Sequence, residues 1–147
     1  MQRTGSDPQN DARRTAPAAH RADAGFRPRR GGTRGGWSSR GHPTRTHFNP
    51  IGTIHGGWQA TLLDSCMACA VQTQLEAGQA FTSLEIKINF LRAMTDKVGP
   101  VRAEGKVIQV GRQIGIAEGS LYDAAGKLYA HGTTTCLIFD HEQLRRT

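Results

Sequence analysis

Ile51-Gly52-Thr53-Ile54-His55-Gly56-Gly57-Trp58-Gln59-Ala60-Thr61-Leu62-Leu63-Asp64-Ser65-Cys66-Met67-Ala68-Cys69-Ala70-Val71-Gln72-Thr73-Gln74-Leu75 holds a glycine pair, then a long run with one charged side chain, Asp64. The pair Gly56-Gly57 reads as a tight turn where backbone can approach a ligand closely. The spacing from Trp58 to Ala77 predicts a helix ended by Gly78. A lone carboxylate on an apolar helix is costly to bury unless it is paired or hydrogen-bonded. Asp64 is therefore either a capping or salt-bridging residue of the fold or part of a site. The glycine turn supplies a candidate second half, because N–H groups at a helix N-terminus are free to donate and the dipole there favours negative charge.

Composition divides the 147 residues in two. Residues 1–47 contain no Leu, Ile or Val but hold 10 Arg, 7 of the 18 Gly and 4 of the 6 Pro. Against those arginines stand Asp7, Asp11 and Asp23, so this segment carries the whole formal charge of +7, and residues 48–147 balance 9 basic against 9 acidic side chains. A stretch without branched aliphatics buries too little apolar surface to offset its ordering entropy. The expectation is a disordered Arg/Gly-rich tail over 1–47, a domain over 48–140 and a short C-terminal tail over 141–147. Arg29-Arg30-Gly31-Gly32-Thr33-Arg34-Gly35-Gly36-Trp37 resembles disordered nucleic-acid-binding segments. The neutral domain and the lack of an aromatic ladder argue against nucleic acid as the partner. Arg, Gly, Ala and Pro make up 27 of the 47 residues, the composition that GC-rich coding DNA gives when read out of frame. A frameshift origin for the segment is one hypothesis for it.

No secretory h-region follows the first charges, and the amphipathic face of an organellar transit peptide is missing. No run approaches the roughly 20 apolar residues of a membrane span. Cys66, Cys69 and Cys136 are an odd number, and reduced thiols in a cytoplasmic protein are the expectation. Cys66-Met67-Ala68-Cys69 has C-x-x-C spacing but lacks the further ligands of a zinc site. Small apolar packing is its reading.

The rest alternates with a period of two. Thr82 to Phe90 puts Leu84, Ile86, Ile88 and Phe90 on one face and Ser83, Glu85, Lys87 and Asn89 on the other. Gly99-Pro100 turns the chain into Val101–Val110. A hairpin at Gly111-Arg112 leads to Gln113–Tyr122, and Asp123 to Gly126 leads to Lys127–Phe139. Gly115, Ala117 and Gly119 alternate, which would let a sheet come close to a helix. One apolar helix followed by an antiparallel meander is an α+β arrangement.

Asn49-Pro50-Ile51-Gly52-Thr53-Ile54-His55-Gly56-Gly57 with Thr61-Leu62-Leu63-Asp64 resembles the signature of hotdog-fold acyl-CoA thioesterases of the phenylacetic-acid-degradation (PaaI-like) family. Phe90-Leu91-Arg92, Gly111-Arg112, Asp123 to Leu128 and Ala130 with Thr133-Thr134-Thr135 agree, so the resemblance covers residues 46–139. It implies a central helix wrapped by an antiparallel sheet, with homodimers or tetramers formed by joining sheets. It also implies hydrolysis of an acyl-CoA thioester with no metal or organic cofactor. Carried over by position, Asp64 is the base or nucleophile, and Gly57, with Gly56 beside it, is the backbone donor to the thioester carbonyl. Asn49 positions substrate or water, Ser83 orients water, and His55 supports the turn. In relatives the Asn and glycine turn come from one subunit and the Asp and Ser from the other.

Trp58 either lines the acyl pocket or packs as a core aromatic. Arg92, Lys97 and Arg112 are candidates for substrate phosphates or ordinary surface charges. Relatives carry a helix and strands ahead of the Asn-Pro segment, and residues 1–47 are not expected to supply them. Two rival readings are a non-catalytic acyl-CoA-binding hotdog protein and nucleic-acid binding through the tail.

Overall fold

The structure is a computed structural model that describes residues 27–29 and 35–146. The expected disorder of residues 1–26 and 30–34 lies outside the described residues. One helix, α1 (Gly56–Gln72), lies against a sheet of β1 (Arg27–Arg29), β2 (Gly36–Gly41), β3 (Gln79–Phe90), β4 (Val101–Val110), β5 (Ile114–Asp123) and β6 (Leu128–Asp140). The strand order is β1-β2-β4-β5-β6-β3, and every pairing is antiparallel. This is the expected helix wrapped by an antiparallel sheet, with β3 left on an edge.

The helix is apolar because the sheet takes its long face: Leu62, Leu63, Cys66, Met67, Ala70 and Val71 are all fully buried. Gly115, Ala117 and Gly119 face it, as their alternation predicts. A Cβ on Gly115 would sit 2.6 Å from Val71 Cγ1, and one on Gly119 would sit 2.7 Å from Met67 Cγ. Gly105 on β4 lies closer still, against the helix backbone at Cys66 and Met67. Only absent side chains allow such an approach. The helix stops earlier than predicted, at Gln72. Thr73 Oγ1 donates to Ala70 O at 2.7 Å and accepts from Gly35 N at 3.0 Å, tying the helix end to the start of β2. Gly78, with φ +90°, instead turns the chain into β3.

The N-terminal segment is where the structure corrects the sequence reading. Residues 36–47 are not a tail: β2 pairs along β4 from Gly36↔Lys106 to Gly41↔Val101. Its inner face is built from Trp37, Ser39 and Gly41 rather than from aliphatics. Ser39 is fully buried, and a Cβ on Gly41 would lie 2.9 Å from both Leu62 Cδ1 and Trp58 Cζ2. Strands before the Asn-Pro segment are thus present, made of residues whose composition does not announce them.

A second correction concerns β3. The register against β6 shifts between Ser83 and Glu85, leaving Leu84 as a bulge. Ser83 pairs with buried Cys136, whereas Ile86 pairs with buried Thr134 and Ile88 with buried Gly132. The extra residue changes the phase, so Ser83 shares the helix-facing side with Ile86, Ile88 and Phe90. Strict alternation had placed it opposite them.

Candidate active site

Asp64 sits on the half-buried flank of α1, and Ser83 reaches it from β3: Ser83 Oγ donates to Asp64 Oδ1 at 2.9 Å. The bulge at Leu84 makes this contact possible. Oδ2 of the carboxylate is left to other partners. Three thiols surround the pair. Burial is the main reason that the Cys69 and Cys136 thiols are pushed up from their ordinary value, and the Asp64 charge adds to it at both. For Cys136 the Ser83 and Thr134 hydroxyls oppose the rise. Burial, followed by the neighbouring Cys69, pushes Cys66 up to about 12. All three cysteines are free, and Cys66 Sγ donates to Leu63 O at 3.2 Å. These are protonated packing groups, not activated thiolates.

The glycine turn is organised by His55, the N-cap of α1, whose Nδ1 accepts from Gly57 N at 2.8 Å. Accepting at Nδ1 requires the neutral ring with its proton on Nε2. The Gly57 N–H, expected to face the thioester carbonyl, is thereby already engaged. The neighbouring Gly56 N–H has no acceptor among the described residues, as the first donor of a helix should. The Phe90 ring covers Gly56, since a Cβ there would come within 3.0 Å of Cζ. His55 thus holds the turn through this bond, and the N–H left free is that of Gly56.

Asn49 holds the preceding loop. Its Oδ1 accepts from Ile51 N and Thr53 N, each at 3.1 Å, and its Nδ2 donates to Thr53 Oγ1 at 2.8 Å. One Nδ2 hydrogen remains for a ligand. Trp58 packs in the core: it is 8% exposed, stacked on His47 with ring centroids 5.1 Å apart, and set against Gly41 of β2. Arg92 Nε donates to Leu128 O at 3.1 Å and is otherwise exposed. Exposed Arg112 lies in the β4–β5 turn, beside the C-terminal end of α1 and away from the glycine turn. Lys97 is exposed. Among the described residues no cluster of His, Cys, Asp and Glu is placed to hold a metal ion, and no helix is long and apolar enough to cross a membrane.

Asp64 and Ser83 together, with the glycine turn at the head of the same helix, are the features on which known proteins can be compared. The thioesterase superfamily model matches residues 51–130. The chain belongs to the thioesterase superfamily. It is 33% identical over 84 residues to the proofreading thioesterase EntH of Cronobacter sakazakii, covering 57% of this chain and 59% of that protein. The matched region spans 57–61% of the length of the first curated relatives. Among solved structures, a phenylacetic acid degradation-related protein of Ralstonia eutropha is 28% identical with a TM-score of 0.74, covering 84% of this chain and 92% of that one. A Bacillus halodurans protein crystallised with CoA is 29% identical with a TM-score of 0.64, covering 69% and 66%. The PaaI protein of E. coli, at 22% identity, shares the fold with a TM-score of 0.73 over 82% and 84% of the two chains. The hotdog fold and the PaaI-like kinship expected from the sequence both hold.

Proposed function

We propose that this protein hydrolyses an acyl-CoA thioester to a free acid and coenzyme A, at a site shared between two copies of the chain. The observation that carries this reading is the Ser83–Asp64 hydrogen bond of 2.9 Å. A hydroxyl that donates to one carboxylate oxygen fixes the group's orientation and leaves the other oxygen to accept a proton from water. In the reaction, the water oxygen adds to the thioester carbonyl carbon while Asp64 takes its proton. The carbonyl oxygen becomes an oxyanion, and the Gly56 N–H at the head of the helix donates to it. Collapse breaks the C–S bond, and the coenzyme A thiolate recovers a proton. The CoA held by the Bacillus halodurans relative and the name of EntH support this substrate class.

The two halves cannot meet within one chain. Gly56 and Asp64 are eight residues apart on α1, or about 12 Å along its axis. A reacting carbonyl must lie about 3 Å from its donor and from the attacking water. A second copy closes this gap if its β3 lies alongside. The exposed apolar side chains of β3, Leu84 and Phe90 (57% and 51% exposed), suit such a partner.

A proline test separates the parts. Proline is tolerated at the first helical position, and His55, at φ −58° and ψ 134°, already has the conformation preferred before proline. Gly56→Pro removes the free N–H, whereas Gly56→Ala keeps it with a similar Cβ. In a thiol-release assay, Gly56→Pro should fall about 10²–10³-fold below Gly56→Ala. Mixing Gly56→Pro with Asp64→Asn subunits should restore part of the activity. Equal turnover of the two Gly56 variants would remove this donor from the mechanism.

A further inference from the structure

The sheet face turned away from α1 carries its charges in rows that cross the strands. In one row Lys106 of β4 stands opposite Glu118 of β5, with His131 Nε2 3.8 Å from Glu118 Oε2. Opposite signs meet there, as on an ordinary solvated surface. The row nearer the N-terminal end of α1 breaks that pattern. Arg40 of β2 is directly opposite Arg102 of β4. Like charges directly opposite each other destabilise a sheet.

Ion pairing offsets this repulsion at Arg102 but not at Arg40. Arg40 is exposed and makes no ion pair with any described residue. Arg102 lies over the Tyr122 ring, 6.0 Å from its centroid. Its Nε is 2.8 Å from Glu104 Oε1, but the N–H is not aligned as a hydrogen bond. The nearby carboxylate of Asp123 is committed to its own turn, accepting from Ala125 N at 2.9 Å and Lys127 N at 2.8 Å. Arg40, Arg102, Pro100 and Asp123 line a cleft of about 230 Å³. Arg40 thus adds to the cleft a charge that no carboxylate of a described residue pairs. The neutral sum over residues 48–147 conceals this, because Arg40 belongs to the segment before it.

We propose that this cleft binds a phosphate-bearing anion, with Arg40 and Arg102 donating to phosphate oxygens and Tyr122 holding the Arg102 guanidinium flat. Planar guanidinium forks match phosphate geometry, and strands about 4.8 Å apart set two forks within reach of one phosphate or of two joined ones. A ligand with more than one negative charge removes the repulsion along the row. Two sources share this chemistry, the bisphosphate end of a nucleotide and the backbone of a single-stranded nucleic acid.

The test uses the full chain and inorganic pyrophosphate as probe, with affinity measured calorimetrically at low salt. Pyrophosphate should bind, and Arg40→Gln and Arg102→Gln should each weaken it by about tenfold or more. Lys106→Gln, in the mixed row, should leave it unchanged. Exposed Arg40 can be replaced without disturbing the core, so that variant answers even if Arg102→Gln unfolds. Pyrophosphate carries no thioester, so its binding is read independently of turnover, which keeps this outcome separate from the fate of the hydrolysis proposal. Adenosine 3′,5′-bisphosphate and a short single-stranded RNA, titrated in parallel, distinguish the sources: the tighter of the two names the ligand class. Absent pyrophosphate binding, undiminished binding by Arg40→Gln, or equal losses at Arg40 and Lys106 would each overturn the site.

Discussion

The two sides of this sheet end differently. At one, β3 is a 12-residue strand with exposed apolar side chains, and one of its hydroxyls holds the Asp64 carboxylate. Toward the other, next to the three-residue edge strand β1, β2 is a six-residue strand of glycine, serine, tryptophan and arginine, docked tightly on the helix and outwardly charged. Bare apolar edges invite pairing, and charged short ones resist it. The contrast teaches that order and apolar composition are separable: the polar strand is fitted into the fold, and the apolar one keeps large side chains exposed at the edge.

The largest effect should come from the β3 side. Asp64→Asn keeps the shape of the side chain but removes its basicity, and turnover should drop about 10²–10⁴-fold with an unchanged circular dichroism spectrum. Wild-type-like turnover by the folded variant would leave the Ser83–Asp64 pair as mere packing. Next, charging that edge with Leu84→Glu and Ile86→Glu together should yield a folded monomer by sedimentation, with turnover reduced by at least about tenfold because the shared site no longer assembles. A fully active monomer would break the comparison at its first term.

The second term is tested at Gly41. If β2 is docked as described, Gly41→Leu drives a side chain into Trp58 and Leu62 and should cost about 1–3 kcal/mol in denaturant unfolding. A tail would not register the change. The smallest effect lies in the core between the two edges. An unfolded thiol ionises from its ordinary value of 9.0, while folded Cys66 holds its proton until about 12. Above 9 the unfolded state has therefore released a proton that the folded state keeps, and stability declines as pH rises. The thermal midpoint should fall between pH 8 and pH 10, and less steeply in Cys66→Ala.

What the sequence disclosed follows from where side chains alone determine structure. Val101–Val110 matches β4 residue for residue, because buried and exposed positions alternate through most of it. Asp64 was conspicuous since a single charge on an apolar helix has few explanations. The face of Ser83 was hidden, because a bulge leaves no mark in an alternating pattern and emerges only from pairing with β6. β2 was hidden for a different reason. Its inward positions, Trp37, Ser39 and Gly41, are chosen to fit under a helix already in contact, where size matters more than hydrophobicity. The engagement of the Gly57 N–H by His55 depends on a ring orientation that no spacing encodes, so Gly56 emerged as the free donor only from geometry. The Arg40–Arg102 row likewise needs the register of two strands separated by some sixty residues of chain.

The bulge at Leu84 acts on β3 like a dislocation in a crystal row. On one side of it the row of side chains brings Ser83 to Asp64; on the other it lays the Phe90 ring over Gly56. Each portion can drift through mutation without rotating the other out of place. A strand divided in this way lets the residues beyond the bulge change while the hydroxyl at Ser83 stays trained on its carboxylate.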